Sequence, residues 1–465
     1  MAIEEDLSQW EIASTGKMAA YGIGYVFINY LLGYGLANLF YFYEVEIGLP
    51  AIYLSAAFII FAIWNMVNDP LLGYLTDKPL KWTRKYGLRA PWVVITTFPV
   101  VILFYVIWIP PQGMGAMIIF LWFIIITCLF DTFFSIYNDH VYGGFTNQFP
   151  SEYERRRAFA IATILMFVLI TIMTVIGSVT IVYGDPSSFV RWAMLMMIIL
   201  GIYGVIVLTG VRESPEMKQM FIQAFDKAEK IGFFKTMKAA LKTKNFAISC
   251  AGYTISITAT TLIAASTIYL YKDVYRIPYI YGLIPAIVGT VAGLLMIPFW
   301  SNYARKHGFK KCYATAYILH GICFLPFLFI SDIIFHTIFW AIYQMVYIGE
   351  VTMLMPVASD TYDEVSSKME KRVDALLVGI RTFFFRVAFL VVGVVIPLIH
   401  VMTAYDTNPY AIQTPLAIWG IRVHAALIPG VIMIIMGLIF KKWYTLEGKE
   451  KEALVMKLKD LGIYR

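Results

Sequence analysis

The sequence predicts an all-α polytopic membrane protein with twelve transmembrane helices in two six-helix bundles. Three observations lead there. First, 60% of the 465 residues are hydrophobic and only 14% are charged, against about 25% charged in a typical soluble chain. Second, apolar runs of roughly the twenty residues that a spanning helix needs recur along the whole sequence between short polar breaks. Third, 31 of the 37 Lys and Arg residues fall on one side, the side of the N-terminus, the even-to-odd loops and the C-terminus. Basic loops stay cytoplasmic, so both termini are expected in the cytoplasm of a multi-pass cell-membrane protein. This composition excludes an ordinary cytosolic enzyme, a disordered chain and a disulfide scaffold. The net charge of +7 reads as basic loops, and no nucleic acid partner is expected.

Residues 1–17 are acidic and polar, without the basic start and cleavage site of a signal peptide. They are expected to be a cytoplasmic segment. The N-terminal bundle is expected over 18–211, with spans at 18–46, 51–76, 91–110, 116–143, 157–183 and 188–211. The cytoplasmic linker 212–245 mixes Phe, Ile and Met with Lys at helical spacing, which predicts an amphipathic helix on the membrane surface. The C-terminal bundle is expected over 246–441, with spans at 246–272, 279–300, 310–331, 333–358, 373–402 and 414–441. The tail, 442–465, resembles the linker and is expected to be cytoplasmic and amphipathic. TRKYGLRAPW (83–92) after the second span matches ARKHGFKKCY (304–313) after the eighth, and SEYERRR (151–157) matches SSKMEKR (366–372). Two matches in corresponding loops point to a parallel repeat, the construction that alternating access uses.

Charged groups at membrane depth are costly and mark function. Asn65, Asn68 and Asp69 share one face of the second span at i, i+3, i+4 spacing. A carboxylate and amide oxygens are hard ligands suited to a cation or its proton equivalent; an interhelical polar contact fits the same pattern. Asp131 lies near the middle of the fourth span, Glu350 in the tenth, and Arg381 and Arg386 in the eleventh. Glu350 is read either as functional or as a bond to a neighbouring helix. Asn29, Tyr30, Tyr34 and Asn38 on the first span suit a sugar, or simply packing, and Gly22, Gly24, Gly33 and Gly35 suit close helix approach. His320, His336, His400 and His424 stand alone in the sequence and receive no role. Cys128, Cys250, Cys312 and Cys323 show no paired spacing, so neither a disulfide nor a zinc site is expected. No nucleotide-binding or hydrolytic motif is present.

At NDPLLGYLTDK (68–78) and GLRAPW (87–92) the sequence resembles the glycoside–pentoside–hexuronide:cation symporter family, the melibiose-carrier-like branch of the major facilitator superfamily. YFYEVEIGL (41–49), FDTFFS (130–135), SDTYDEVSSKMEKR (359–372) and GIRTFFFR (379–386) are similar to that family's first helix, fourth helix, loop before helix eleven and helix eleven. The resemblance implies a major facilitator fold and symport of a sugar, glycoside or uronide with sodium or protons. It implies a cation site at Asn65, Asn68 and Asp69, and a substrate site at Asn29, Asp131, Arg381, Thr382 and Arg386. It also implies a cytoplasmic latch from Arg84, Asp360, Asp363 and Arg372, although solvated loop charges account for these four as well. Asn65 stands where sodium-using members carry a second acid, which favours a proton on Asp69, or no coupling. Asn29 stands where a sugar-clasping acid is usual, and Thr163 where an arginine is. Losing the first acid while gaining Arg381 makes the pocket more positive and suits an anionic substrate.

The expectation is therefore a secondary active transporter and not an enzyme. Its partners are a small-molecule substrate and membrane lipid, it needs no cofactor beyond the coupling ion and no metal other than sodium, and it is a monomer. A lysolipid carrier of the same fold and a non-transporting membrane sensor are the alternatives.

Overall fold

The computed structural model describes residues 13–76, 80–149, 152–215, 217–218, 233–371 and 374–461. Every regular element among them is helical, because a chain in hydrocarbon must satisfy its backbone within each segment. The principal helices are α1 (Thr15–Tyr30), α2 (Ala51–Thr76), α3 (Ala90–Ile107), α4 (Ala116–Gln148), α5 (Glu152–Thr180) and α6 (Pro186–Gly210). After the short α7 (Phe233–Leu241) come α8 (Lys244–Tyr269), α9 (Leu283–Phe324), α10 (Ile333–Met369), α11 (Asp374–Phe385), α12 (Val387–Met402), α13 (Pro415–Arg422), α14 (Ile428–Trp443) and α15 (Lys449–Asp460). Among the described residues ten stretches are long and apolar enough to cross a membrane, or eleven if the bent pair Thr15–Gly35 and Leu39–Glu46 is one span. Large apolar side chains such as Ile164, Val67 and Leu295 are 63%, 64% and 72% exposed, as expected of surfaces that meet lipid.

Three expected boundaries need correction. The first span is not one straight helix: π-helical turns at Leu31–Gly35 and Phe42–Glu46 flank a break, and the two parts bend by 46°. The tenth helix does not stop at 358 but runs to Met369, so SDTYDEVSSKM is helix and not loop. Helix eleven is interrupted at Arg386, between α11 and α12. The linker's expected helix falls largely outside the described residues; α7 is its described end.

The chain divides into two compact units. The first comprises 1–36, 67–180 and 187–228. Its helices approach closely at glycines: a methyl on Gly22 would sit 3.0 Å from the Ala162 backbone, and one on Gly210 would sit 2.5 Å from Tyr21 N. Gly33, by contrast, meets nothing within 4 Å and is no packing site. The second unit comprises 37–66, 181–186 and 229–465, so the distal end of the first span and the first part of α2 group with the later helices. One of its cores gathers Ala240, Phe246, Cys250, Tyr362, Val365 and Ile380 from α7, α8, α10 and α11.

One of the two matched loop pairs shares a local conformation. Gly87 has φ 99° and ψ 175°, and Gly308 has φ 80° and ψ 161°, a region that only glycine occupies readily. Gly308 thereby breaks α9 into two helices. Each glycine also faces a carboxylate: a Cβ at Gly87 would lie 2.2 Å from Glu213 Oε2, and one at Gly308 2.6 Å from Glu447 Oε1. Glu213 accepts from the backbone N–H groups of Leu88 (2.8 Å), Arg89 (2.6 Å) and Ala90 (3.2 Å). It thus satisfies the orphan donors at the start of α3. The other matched pair does not share geometry: Glu154 lies inside α5 and accepts from Ala13 N at 2.8 Å, whereas Glu370 ends α10 with φ 54°.

Candidate functional site

Within the first unit, adjacent residues of α2 engage two positions four apart on α4. Asn68 Nδ2 donates to Asp131 Oδ2 at 3.2 Å, and Ser135 Oγ donates to Asp69 Oδ1 at 2.5 Å. Asn68, Asp131 and Ser135 are all buried. The spacing follows from helix geometry, since residues 131 and 135 lie one turn apart on one face of α4. Two acids in apolar spans are expensive, and hydrogen-bond donors aimed at them offset part of that cost. Ser135 was not singled out in the sequence: a serine in a membrane helix ordinarily bonds its own backbone. Asn65 is buried one turn earlier on α2. Asn29 belongs to another set, donating to Tyr25 O at 2.8 Å and to Tyr142 Oη at 3.1 Å.

The second unit holds the cationic residues. The Arg381 guanidinium lies over the rings of Tyr253 (4.8 Å) and Tyr362 (5.9 Å). Its Nε and Nη1 are buried and have no hydrogen-bond acceptor among the described residues. Tyr253 stacks on Phe385 at 6.0 Å, and the Arg386 guanidinium lies 5.4 Å above that ring. Arg381, Tyr253, Phe385 and Arg386 thus form one file in which two stacked rings lie between two cations, each arginine in cation–π contact with its ring. Arg386 is 5% exposed. Thr382 Oγ1 donates to Val378 O of its own helix at 2.9 Å and is otherwise exposed.

Among the latch residues, Arg84 is exposed on the turn Thr83–Tyr86. Asp360 and Asp363 sit on α10 instead of a loop, and Asp360 Oδ2 is engaged by Lys451 of α15 at 2.7 Å. Arg372 lies outside the described residues. The histidines are not isolated, which corrects the sequence reading. His320 Nδ1 contacts Glu350 Oε2 at 2.8 Å in a buried pair. His336 Nδ1 and Nε2 face Tyr275 Oη at 2.9 Å and Tyr271 Oη at 3.3 Å. His400 and His424 face each other and reach Glu44. Among the described residues no group of three or more His, Cys, Asp or Glu is arranged to hold a metal ion.

Long apolar helices that carry buried acids and arginines define a multi-pass membrane protein. The chain matches the family described as MFS/sugar transport protein over residues 13–447, and it belongs to that family, which makes it a transporter and not an enzyme. Its substrate is accordingly a small molecule. The fold is that of the xylose transporter XylE from E. coli in its inward open conformation, with TM-score 0.61, 12% identity and coverage of 94% of this chain and 98% of that one. The nucleoside transporter NupG gives TM-score 0.60 at 14% identity, covering 93% and 100%. In sequence, the chain is 22% identical over 450 residues to the uncharacterized symporter YnaJ of Bacillus subtilis (strain 168), covering 91% of this chain and 90% of that protein. It is also 34% identical over 112 residues to the sodium-dependent lysophosphatidylcholine symporter 1-A of Danio rerio, a match that takes in 23% of this chain and 20% of the fish protein.

Proposed function

We propose that this transporter carries a sugar, glycoside or uronide by cation-coupled symport and alternating access, with both termini in the cytoplasm. The observation that carries the reading is the buried pairing of Asn68 with Asp131 and the half-buried pairing of Asp69 with Ser135. A carboxylate kept in an apolar helix, with its donors supplied by a neighbouring helix, has the chemistry of a site that binds and releases a small cation. Asp69 is the coupling acid on this reading, and a single acid beside amides favours a proton over sodium. The cell membrane is the location that the bacterial relative supports. Arg381, whose buried Nε and Nη1 lack an acceptor among the described residues, supports an anionic substrate such as a uronide.

The test is uptake of a labelled glycoside and uronide panel into proteoliposomes under a proton gradient and then a sodium gradient, with Asp69→Asn beside wild type. Accumulation driven by protons and lost in Asp69→Asn is the expected result. Accumulation that persists in Asp69→Asn would remove Asp69 from coupling. A second reading, a lysolipid substrate, draws on the local match to the lysophosphatidylcholine symporter, and the same arginine suits a phosphate. Competition between uronide and lysophospholipid in those vesicles separates the two.

A further inference from the structure

A second buried acid lies within the second unit, and no part of the proposed cation or substrate site uses it. Glu44, 0% exposed, sits in the π-helical turn Phe42–Glu46. Tyr269 Oη donates to its Oε2 at 2.5 Å, and His400 Nδ1 contacts Oε1 at 2.9 Å and Oε2 at 3.0 Å. His400 Nε2 meets His424 Nε2 at 3.2 Å. His424 Nδ1 meets Ser266 Oγ at 2.7 Å, and Ser266 Oγ is 2.6 Å from Leu262 O of its own helix. His424 lies in a second π-helical turn, Val423–Leu427; such turns are frequent at functional sites.

The contacts constrain how many protons the chain holds. A serine hydroxyl has one proton, and a neutral imidazole has one N–H. If Ser266 donates to His424 Nδ1, then His424 Nε2–H donates to His400 Nε2, and His400 Nδ1–H donates to Glu44. Both histidines are then neutral and Glu44 is a carboxylate. If Ser266 instead donates to Leu262 O, its oxygen accepts from His424 Nδ1–H. His424 Nε2 must then accept from His400 Nε2–H, while His400 Nδ1–H still serves Glu44. His400 now carries two protons beside a carboxylate. The same heavy-atom positions therefore satisfy two inventories that differ by one proton: the exchange takes up that proton, turns the Ser266 hydroxyl, and moves the His424 N–H from Nε2 to Nδ1 as His400 Nε2 becomes protonated.

We propose that Glu44, His400, His424 and Ser266 form a binding site for one proton, distinct from the Asp69 site. The proton comes from water and returns to it through the local openings that buried groups undergo. The other groups that face this chain leave its balance to Glu44 and His400. Tyr405 stacks on His400 at 4.3 Å and donates to Asp273 at 2.8 Å. Asp273 in turn is paired with Lys272 at 2.8 Å, so that charge is compensated. Glu46 is engaged by Tyr41 Oη at 3.1 Å and Gly184 N at 2.9 Å.

The experiment is nitrogen NMR of the full chain, labelled at its 6 histidines, in lipid nanodiscs between about pH 5 and 9, the range in which histidine titrates. His400→Gln assigns the signal. In wild type the His400 ring is expected to pass from the neutral to the doubly protonated pattern as pH falls, with His424 changing tautomer in step. In Glu44→Gln the His400 ring stays neutral over the same range. A His400 ring that never changes state in wild type overturns the proposal without recourse to any variant. A titration that Glu44→Gln leaves in place overturns it as well. Failure of the transport reading shows separately, as no exchange of any panel substrate by wild-type vesicles, and does not alter what the titration decides.

Discussion

Replacing Gly87 by alanine tests the carboxylate that caps α3. The backbone at Gly87, φ 99° and ψ 175°, costs a residue with a side chain about 1–3 kcal/mol. The new Cβ would also lie 2.2 Å from Glu213 Oε2, so the carboxylate must leave the three amides that it serves. Loss of a helix N-terminal acceptor costs about 1–2 kcal/mol. Gly87→Ala should therefore cost about 2–5 kcal/mol, and Glu213→Ala only the capping share. The informative measurement is the double variant. Once Gly87→Ala has displaced the carboxylate, removing it costs little more, so the coupling between the two changes should be about 1–2 kcal/mol. Thermal midpoints of the purified protein in one detergent read this, at roughly 1 °C per kcal/mol for a chain of 465 residues. If Glu213→Ala lowers the midpoint as far in the Gly87→Ala background as in wild type, the capping argument is wrong.

The other predictions follow the same residues. Gly308→Ala should destabilise through strain and displacement of Glu447, with the loss reduced in Glu447→Ala; equal losses in both backgrounds would count against the repeat. His320→Ala leaves the Glu350 carboxylate buried without its 2.8 Å partner and should cost about 3–5 kcal/mol, read as a lower midpoint or lost yield. Lys451→Ala breaks a part-exposed pair with Asp360 and should cost no more than about 1 kcal/mol in the same assay. Arg381→Ala should reduce uptake of a uronide at least tenfold more than uptake of the matching neutral glycoside; equal effects would remove Arg381 from substrate choice.

The membrane spans were legible because lipid imposes long apolar runs, and their interruptions were not. Leu31–Glu46 is apolar enough to read as one helix, and the bend there arises from π-helical turns that hydrophobicity does not register. SDTYDEVSSKM read as loop because it is polar, but a helix continues past the membrane when a neighbour supports it, as Lys451 supports Asp360. Asp69 and Asp131 stood out because a charge in an apolar run is costly whatever its partner. Ser135 did not, since a hydroxyl there is unremarkable until the fold brings it to Asp69. The histidines read as isolated for a related reason: Glu44 and His400 are 356 residues apart, and each is unexceptional near the end of its own span. Their common signal is a titratable residue inside each of three apolar runs, at 44, 400 and 424.

The pairing of Gly308 with Glu447, beside the tie from Asp360 to Lys451, bears on how the protein can be engineered. The helix Lys449–Asp460 is joined to the body through Lys451, and the segment before it through Glu447, so it is not a free handle. A truncation placed before Glu447, in search of a shorter crystallisation target, would leave the Gly308 turn without its carboxylate and Asp360 without its lysine. A fusion partner inserted between Trp443 and Lys449 would pull on the same two joints. Purification tags belong beyond residue 460 or at the other end of the chain, and a loss of yield on trimming the tail would be a defect of folding before it was one of transport.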